Sequence, residues 1–221
     1  MTWQPIWLSL QVASVATLLA GMCGVASAAL LSRTRLPGRE LVDVLVTAPM
    51  VLPPTVLGYY LLILLGRDST IGVSFETITG TSIAFSRVGA VIAASFAALP
   101  FVLKAARVAL EQVDPQVLAA ARTLGAGPLR TFFRIELPLA RTGIAAGLAL
   151  GFARGLGEFG VTLMLAGNLP GTTQTGSLAI YDAVQASRDQ DAWHLVIVMT
   201  AVAVAILYFV NRLSRRSRHA F

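Results

Sequence analysis

Long apolar stretches are the feature that most constrains this chain. Five of them, at about 6–32, 44–66, 88–108, 140–165 and 194–212, reach the roughly 20 residues that an α-helix needs to cross a bilayer. The chain is 56% hydrophobic and only 13% charged, which leaves too little polar surface for a water-soluble domain. We therefore predict an all-α integral membrane protein, a single domain over 1–221 built as a bundle of five transmembrane helices.

The basic residues predict the orientation of this bundle. Lys and Arg concentrate on the cytoplasmic side of membrane proteins, and with the N-terminus outside most of the 17 in this chain fall inside. Those on the inner side are Arg33, Arg35, Arg39, Lys104, Arg107, Arg122, Arg130, Arg134, Arg141, Arg212, Arg215, Arg216 and Arg218. We predict N-out and C-in, and the same bias explains the net charge of +6 without a nucleic-acid partner.

The sequence offers no recognisable catalytic or metal-binding constellation. Cys23 is the only cysteine, and the two histidines, His194 and His219, are far apart in the chain. A phosphate-binding loop of the form GxxxxGK[ST] is also missing, since the only lysine, Lys104, has no glycine-rich loop before it. We predict a non-catalytic chain that binds no metal.

Prolines interrupt the second span, which contains the stretch TAPMVLPPTVLGYYLLILLG. Proline removes a backbone donor and clashes with the preceding turn, so we expect a kink or break at Pro53 and Pro54. Inside a bilayer, the freed carbonyls are tolerated only against protein, ordered water or an aqueous cavity. The break is therefore either a packing kink or part of a transport pathway.

A stripe of glycines marks the fourth span. Its members recur every four residues, at Gly143, Gly147, Gly151 and Gly155. This spacing keeps them on one side of a helix, where the missing side chains let another helix approach closely. We predict a close helix contact along this stripe.

The same span carries two opposite charges, Arg154 and Glu158. An arginine near the centre of a membrane helix costs about 2.5 to 3.5 kcal/mol even on the lenient insertion scale, so it needs a partner. Glu158, one turn further along, is the nearest candidate. The pair is either structural, fixing helix packing, or an element of a gate or anion path.

Between the third and fourth spans, at about 110–137, lies a basic and half-apolar segment that includes AAARTLGAGPLRTFFRIELP. Asp114 before Pro115 is the order of an N-cap and a first helical residue, and Gly125 suits a helix C-terminus. A second short helix is expected to start near Pro128. We expect it to bury Leu129, Phe132 and Phe133. The predicted unit is a helix, a turn and a helix beneath the membrane that present a surface to a partner.

This segment resembles the cytoplasmic loop of membrane subunits of binding-protein-dependent ABC importers, whose pattern is E-A-A-x3-G-x9-I-x-L-P. The matching positions are Ala119, Ala120, Ala121, Gly125, Ile135, Leu137 and Pro138, with Arg122 and Ala126 between them. Ala119 stands where the family has glutamate, so no carboxylate can anchor a partner there. The resemblance implies that these residues form the loop that couples the membrane subunit to an ATPase.

Other stretches, among them PMVLPPTVLGYYLL, FARGLGEFGVTLM and GNLPGTTQTGSLAIYDAVQA, resemble the molybdate importer permeases of this group. The resemblance implies a homodimer in a bacterial or archaeal cell (inner) membrane, and an outer oxyanion-binding protein. It also implies two ATP-binding cassette subunits that hold ATP and Mg, with no cofactor on this chain. The implied activity is import of molybdate, or of the similar anion tungstate, by alternating access.

A pathway for such a dianion should offer hydroxyls and backbone amides, because the anion loses strong hydration on entry. Thr55 and Tyr59, next to Pro53 and Pro54, are candidates together with the Arg154 and Glu158 pair. Further hydroxyl candidates are Thr47, Tyr60 and Thr162. Three alternatives stay open: a sulfate or thiosulfate permease of the same mechanism, a stand-alone secondary anion transporter or channel, and a non-transporting membrane scaffold.

Overall fold

A computed structural model describes residues 3–33 and 38–218, and every regular element in those ranges is helical. Arg35, one of the arginines that predict the orientation, and His219 lie outside the described residues. The α-helices are α1 (Gln4–Arg33), α2 (Arg39–Val51), α3 (Pro54–Leu65), α4 (Thr70–Thr79), α5 (Arg87–Glu111), α6 (Pro115–Thr123), α7 (Pro128–Thr131), α8 (Leu137–Leu156), α9 (Gly160–Ala166), α10 (Gly176–Gln185) and α11 (Asp189–Arg218). A π-helical turn, Phe132–Glu136, joins α7 to α8.

Four helical stretches are long and apolar enough to cross a membrane, namely Gln4–Ser32, Arg87–Glu111, Pro128–Leu156 and Asp189–Tyr208. The predicted second span consists of two helices, α2 and α3, bent by 115° at their junction. It adds a fifth span if the bent pair crosses as one. The all-α membrane fold is thus confirmed, whereas the count of five crossings stays a prediction.

The junction of α2 and α3 lies at the prolines that predict it. Leu52 and Pro53 both have extended backbone, with ψ of 139° and 134°. A residue that precedes proline is pushed away from the helical region, and each of these two precedes one. Pro54 then starts α3 as its first residue, a position where the missing N–H has no cost.

The fourth span differs from the expected single helix over 140–165. Helix α8 ends at Leu156, and the seven-residue α9 begins only at Gly160. Glu158 therefore lies in the break between the two helices, not on a helical surface one turn after Arg154. The break is stabilised locally, because the Glu158 carboxylate accepts the N–H of Val161 in the first turn of α9 at 2.9 Å.

Helix α5 is the centre of the bundle and packs against α1, α8 and α9 through small buried residues such as Ala94 and Ala98. The glycine stripe of α8 lies on α5. A Cβ at Gly147 would lie 2.7 Å from the Cβ of Ala105, and one at Gly151 would lie 2.7 Å from a Val102 methyl. Contacts this short are not seen between real side chains, so the two backbones approach as closely as glycine permits.

The stripe is not uniform along its length. A Cβ at Gly143 would lie 2.5 Å from the Cβ of Ala109, but one at Gly155 would meet nothing closer than 3.7 Å. The close contact thus spans Gly143, Gly147 and Gly151, which we call the glycine seam. Gly155 is buried beyond its end, with room for a methyl group.

Candidate functional site

The segment between α5 and α8 begins with a helix whose ends are set by its own residues. Asp114 caps α6 by accepting the N–H of Gln116 at 2.8 Å, and Pro115 is the first helical residue. At the other end Gly125 has φ +80°, a conformation that glycine adopts without strain. The N–H of Ala126 then returns to the carbonyl of Ala121 at 3.0 Å, which closes the turn.

The chain re-enters the bundle without a loop. Helix α7, the π-helical turn and α8 follow one another directly, so 128–156 form one long helical stretch. Pro138 in the first turn of α8 has no N–H, so it cannot donate to the Arg134 carbonyl four residues before. In the π-helical turn the N–H of Leu137 bonds to the carbonyl of Phe132. A displacement of α7 would therefore be transmitted directly to α8.

Large apolar side chains of this segment are exposed. Leu124 is 88% exposed, Leu129 73%, Phe133 60% and Val117 42%. The expectation that the second short helix buries Leu129 and Phe133 is wrong. Of these three apolar residues only Phe132 is partly buried, against the core cluster at this end of α5 and α8. We call the four exposed residues the docking surface, since contiguous apolar surface of this kind marks interaction sites.

The predicted coupling residues divide between this surface and the bundle. Exposed beside the docking surface are Ala119, Ala120, Arg122, Gly125 and Pro138. Ala121 is buried, and Ala126, Ile135 and Leu137 are partly buried. The motif thus contains both residues that hold the segment on the bundle and residues that face away from it. The most exposed apolar residues, Leu124, Leu129 and Phe133, fall at the motif's unspecified positions.

The two helix breaks lie against each other. A Cβ at Gly160, the first residue of α9, would lie 2.7 Å from the Cβ of Pro54, the first residue of α3. One turn further along α3, a Cβ at Gly58 would lie 2.7 Å from the Cβ of Met164. Helices α3 and α9 therefore begin side by side in close contact, and we call this region the paired breaks.

The buried charge of the paired breaks is Glu158, which is 2% exposed. One carboxylate oxygen accepts the Val161 N–H, and the other contacts Nη1 of Arg154 at 2.6 Å. A buried carboxylate needs such partners, because the loss of hydration would otherwise be uncompensated. The Arg154 side chain keeps 33% of its surface exposed, so Glu158 is paired with an arginine that is only partly buried.

The hydroxyl candidates are not gathered around this pair. Thr55 and Tyr59 are exposed on α3, on the side away from its buried residues Leu57 and Leu61. Thr162 is only 1% exposed, so its hydroxyl reaches no surface in this conformation. Pro53 and Pro54 are exposed at the start of α3.

A second group of charges, absent from the sequence prediction, joins α2 to α5. Asp43 contacts Nζ of Lys104 at 3.0 Å and Nη1 of Arg107 at 3.3 Å. Arg107 also pairs with Glu111 at 2.9 Å. In the sequence, Lys104 and Arg107 serve only to predict the orientation. Lys104 is 61 residues from Asp43, and no local sequence pattern predicts a contact over that separation.

Comparison with known proteins assigns this architecture to a family. Residues 19–219 match the family described as "Binding-protein-dependent transport system inner membrane component". The chain belongs to this family. It is accordingly a multi-pass inner-membrane permease, and the resemblance to ABC importer permeases is confirmed.

Individual relatives of the permease agree with this assignment. The chain is 44% identical over 217 residues to "Molybdenum transport system permease protein ModB" of Escherichia coli (strain K12), covering 98% of this chain and 95% of that protein. It is 32% identical to "Sulfate transport system permease protein CysT" of Salmonella typhimurium, covering 98% and 82%.

Among solved structures, the fold matches a bacterial alginate ABC transporter in complex with an alginate pentasaccharide-bound periplasmic protein. The TM-score is 0.77 at 20% identity, and the match covers 98% of this chain and 79% of that one. At this identity the likeness supports the fold alone. The arrangement of helices is therefore one that a transporter permease adopts.

Proposed function

We propose that this chain is the permease subunit of an ATP-driven importer that moves molybdate, and with it tungstate, across the inner membrane by alternating access. The identity of 44% to a molybdenum permease over 98% of the chain supports this substrate over sulfate, for which the identity is 32%. The geometric observation that carries the mechanism is the docking surface, which is apolar and exposed and whose residues Leu129 and Phe133 lie on the helical stretch that continues into α8.

The proposed assembly contains two copies of this chain, two ATP-binding cassette subunits and an outer oxyanion-binding protein. The ATPase subunits bind ATP and Mg and carry out the hydrolysis, and this chain is the non-catalytic partner. They contact the docking surface on the cytoplasmic side, which is consistent with the N-out and C-in orientation that the basic residues predict. Exposed arginines, Arg122, Arg130 and Arg134, surround the apolar contacts with charge.

In the proposed cycle, closure of the two ATPase subunits pulls the docking surfaces of the two permease copies together. The helical stretch 128–156 is continuous and moves as one body. Helix α5 moves with it, because the glycine seam holds α8 against α5. The movement reaches the paired breaks at the far end of α8, where the pair of Arg154 and Glu158 opens or closes the path. The exposed part of Arg154 faces the passing anion, together with hydroxyls such as Thr55 and Tyr59.

The test is uptake into proteoliposomes that contain this chain with and without its ATPase and binding protein, comparing molybdate, tungstate and sulfate. We expect ATP-driven molybdate uptake that requires all three components. A preference for sulfate would overturn the substrate and leave the mechanism. Uptake by this chain alone along an ion gradient would contradict the assignment as an ATPase-coupled subunit and would indicate a secondary transporter.

A further inference from the structure

A groove of about 540 Å³ lies on the surface of the bundle between the N-terminal parts of α1 and α5. It is at the end of the bundle opposite the segment that carries the docking surface, which packs near the C-terminal ends of the same helices through Leu118 and Phe132. Val12, which is 3% exposed, and Val91 line its apolar part. Trp7, 63% exposed, and Val15, 46% exposed, also line it. Neither the docking surface nor the paired breaks uses any of these residues.

Arg87 is the charged residue of this groove, and its position is set by backbone groups. Its Nε donates to the carbonyl of Thr172 at 3.1 Å and its Nη2 to the carbonyl of Gly171 at 3.3 Å. The Gly171 carbonyl also accepts from Gln4 in the first turn of α1 at 3.0 Å. A guanidinium has five N–H groups, and these two carbonyls use two of them. The others are available to a ligand in the groove that Arg87 lines.

The groove changes from charged to apolar along the helix axis. Arg87 and Gln4 bind the same carbonyl, so the guanidinium lies at the level of the first turn of α1. With a rise of about 1.5 Å per residue, Gln11 lies about 10 Å deeper than Gln4, and Val91 lies about 6 Å deeper than Arg87. Along α1 the order from the end of the bundle inward is the level of the guanidinium, the exposed Trp7, the amide of Gln11, and then Val12 and Val15. Tryptophan is typical of the level where lipid headgroups meet the hydrocarbon region.

We propose that this groove binds an anionic phospholipid. The phosphate accepts hydrogen bonds from Arg87, the glycerol esters lie at the level of Val91 and Gln11, and one acyl chain lies along Val12 and Val15. The three parts of a phospholipid thus follow the same order, over the same distance, as the residues of the groove. A net negative headgroup is favoured over a zwitterionic one because Arg87 is the only charged residue that lines the groove.

A second copy of the chain is a poorer occupant on electrostatic grounds. In a two-fold symmetric contact the same patch lies on both sides, so two Arg87 side chains would enter one interface. Among the residues that the structure describes, no acidic one lines the groove to neutralise them. A lipid phosphate supplies that negative charge, and its acyl chain covers the apolar floor.

The test is native mass spectrometry of the purified, detergent-solubilised importer with added phosphatidylglycerol or phosphatidylethanolamine of identical acyl chains. We expect phosphatidylglycerol to remain bound at higher collision energy, and Arg87→Gln to lower its apparent affinity about tenfold. Arg67→Gln is the matched control, because Arg67 donates to Ser82 at 3.2 Å and does not line the groove. Its binding should equal that of the unmodified protein.

A second variant tests the apolar part without touching Arg87. Val15→Trp fills the groove and should lower retention of both lipids. This variant still tests the proposal if the Arg87→Gln protein does not assemble. Equal phosphatidylglycerol binding by the unmodified protein, Arg87→Gln and Val15→Trp would overturn the proposal. Efficient disulfide cross-linking between two copies through Ser14→Cys, in a Cys23→Ser background, would also overturn it, because it would place the partner subunit on the groove.

Discussion

The helical stretch 128–156 carries the glycine seam and two residues of the docking surface, Leu129 and Phe133, and the two regions differ in how well their apolar surface is covered. Leu124, Leu129 and Phe133 leave most of their apolar area uncovered. Along the seam, by contrast, even a methyl group at Gly147 or Gly151 would collide with α5. The difference indicates that the first region is completed by a partner, whereas the second is complete within the chain. A long helix with an uncovered apolar surface at one end and a close-packed contact in its middle is suited to transmit a displacement from a partner to the bundle.

The largest effect is expected from charging the docking surface. Phe133→Asp should reduce ATP-driven uptake to background, because a charge would replace the apolar contact that we propose holds the ATPase. The stability of the isolated permease should change by no more than about 0.5 kcal/mol, since the side chain is 60% exposed. Co-purification of the ATPase and uptake by proteoliposomes measure the first effect, and thermal unfolding measures the second. Retained ATPase binding would place the contact elsewhere.

The next largest effect is expected from the buried ion pair just beyond the end of α8. Glu158→Gln keeps an oxygen for the Val161 N–H but removes the charge that pairs with Arg154. Removing one member of a fully buried pair costs about 3 to 5 kcal/mol, and because Arg154 is one-third exposed we expect about 1 to 3 kcal/mol. Thermal unfolding in lipid nanodiscs is the measurement.

Glu158→Ala is the companion variant, because it removes the Val161 contact as well. It should be less stable than Glu158→Gln by about 1 kcal/mol, the usual contribution of one hydrogen bond. Equal stability of the two variants would show that the contact with the first turn of α9 contributes nothing. An exchange of Arg154 and Glu158 is a poorer test, since it would leave the Val161 N–H without its carboxylate.

The seam itself can be tested with a matched pair of glycines. Gly151→Ala should destabilise the permease by about 1 to 3 kcal/mol, because its Cβ would lie 2.7 Å from Val102 and overpack the contact with α5. Gly155→Ala adds the same methyl group where the nearest atom is 3.7 Å away, so it should be neutral or slightly stabilising. Unfolding temperatures compare them. If Gly155→Ala were as damaging as Gly151→Ala, the contact distances along the stripe would not explain the effect of the substitutions.

The smallest effect is expected from the ion pairs that join α2 to α5. Asp43→Asn removes the charge that contacts Lys104 and Arg107, both of which retain solvent exposure. Exposed pairs contribute about 0.2 to 1 kcal/mol, and salt weakens them. We expect a small loss of stability that disappears at high ionic strength. A loss that is independent of salt would mean that the group is shielded from solvent.

The sequence predicts those features of this fold that depend on residues close together in the chain. The proline break before α3 and both ends of α6 could be read directly, because Pro53, Pro54, Asp114, Pro115 and Gly125 act on their own backbone and on the adjacent turn. The exposure of Leu129 and Phe133 could not, because a short amphipathic helix shows which residues share a face but not which face meets the bundle. Phe132, their neighbour, is the one that packs inward.

The sequence by itself determined the membrane-spanning character, the family and the position of the docking segment, since these depend on apolar length and on motif spacing. The tertiary structure decided that α8 stops at Leu156, that Glu158 lies in a break and that Asp43 reaches Lys104. Each of these depends on groups distant in the chain or on a competition between backbone conformations. A run of apolar residues is equally consistent with one helix or two, and the packing of α9 against α3, together with the bond from the Val161 N–H to Glu158, favours two.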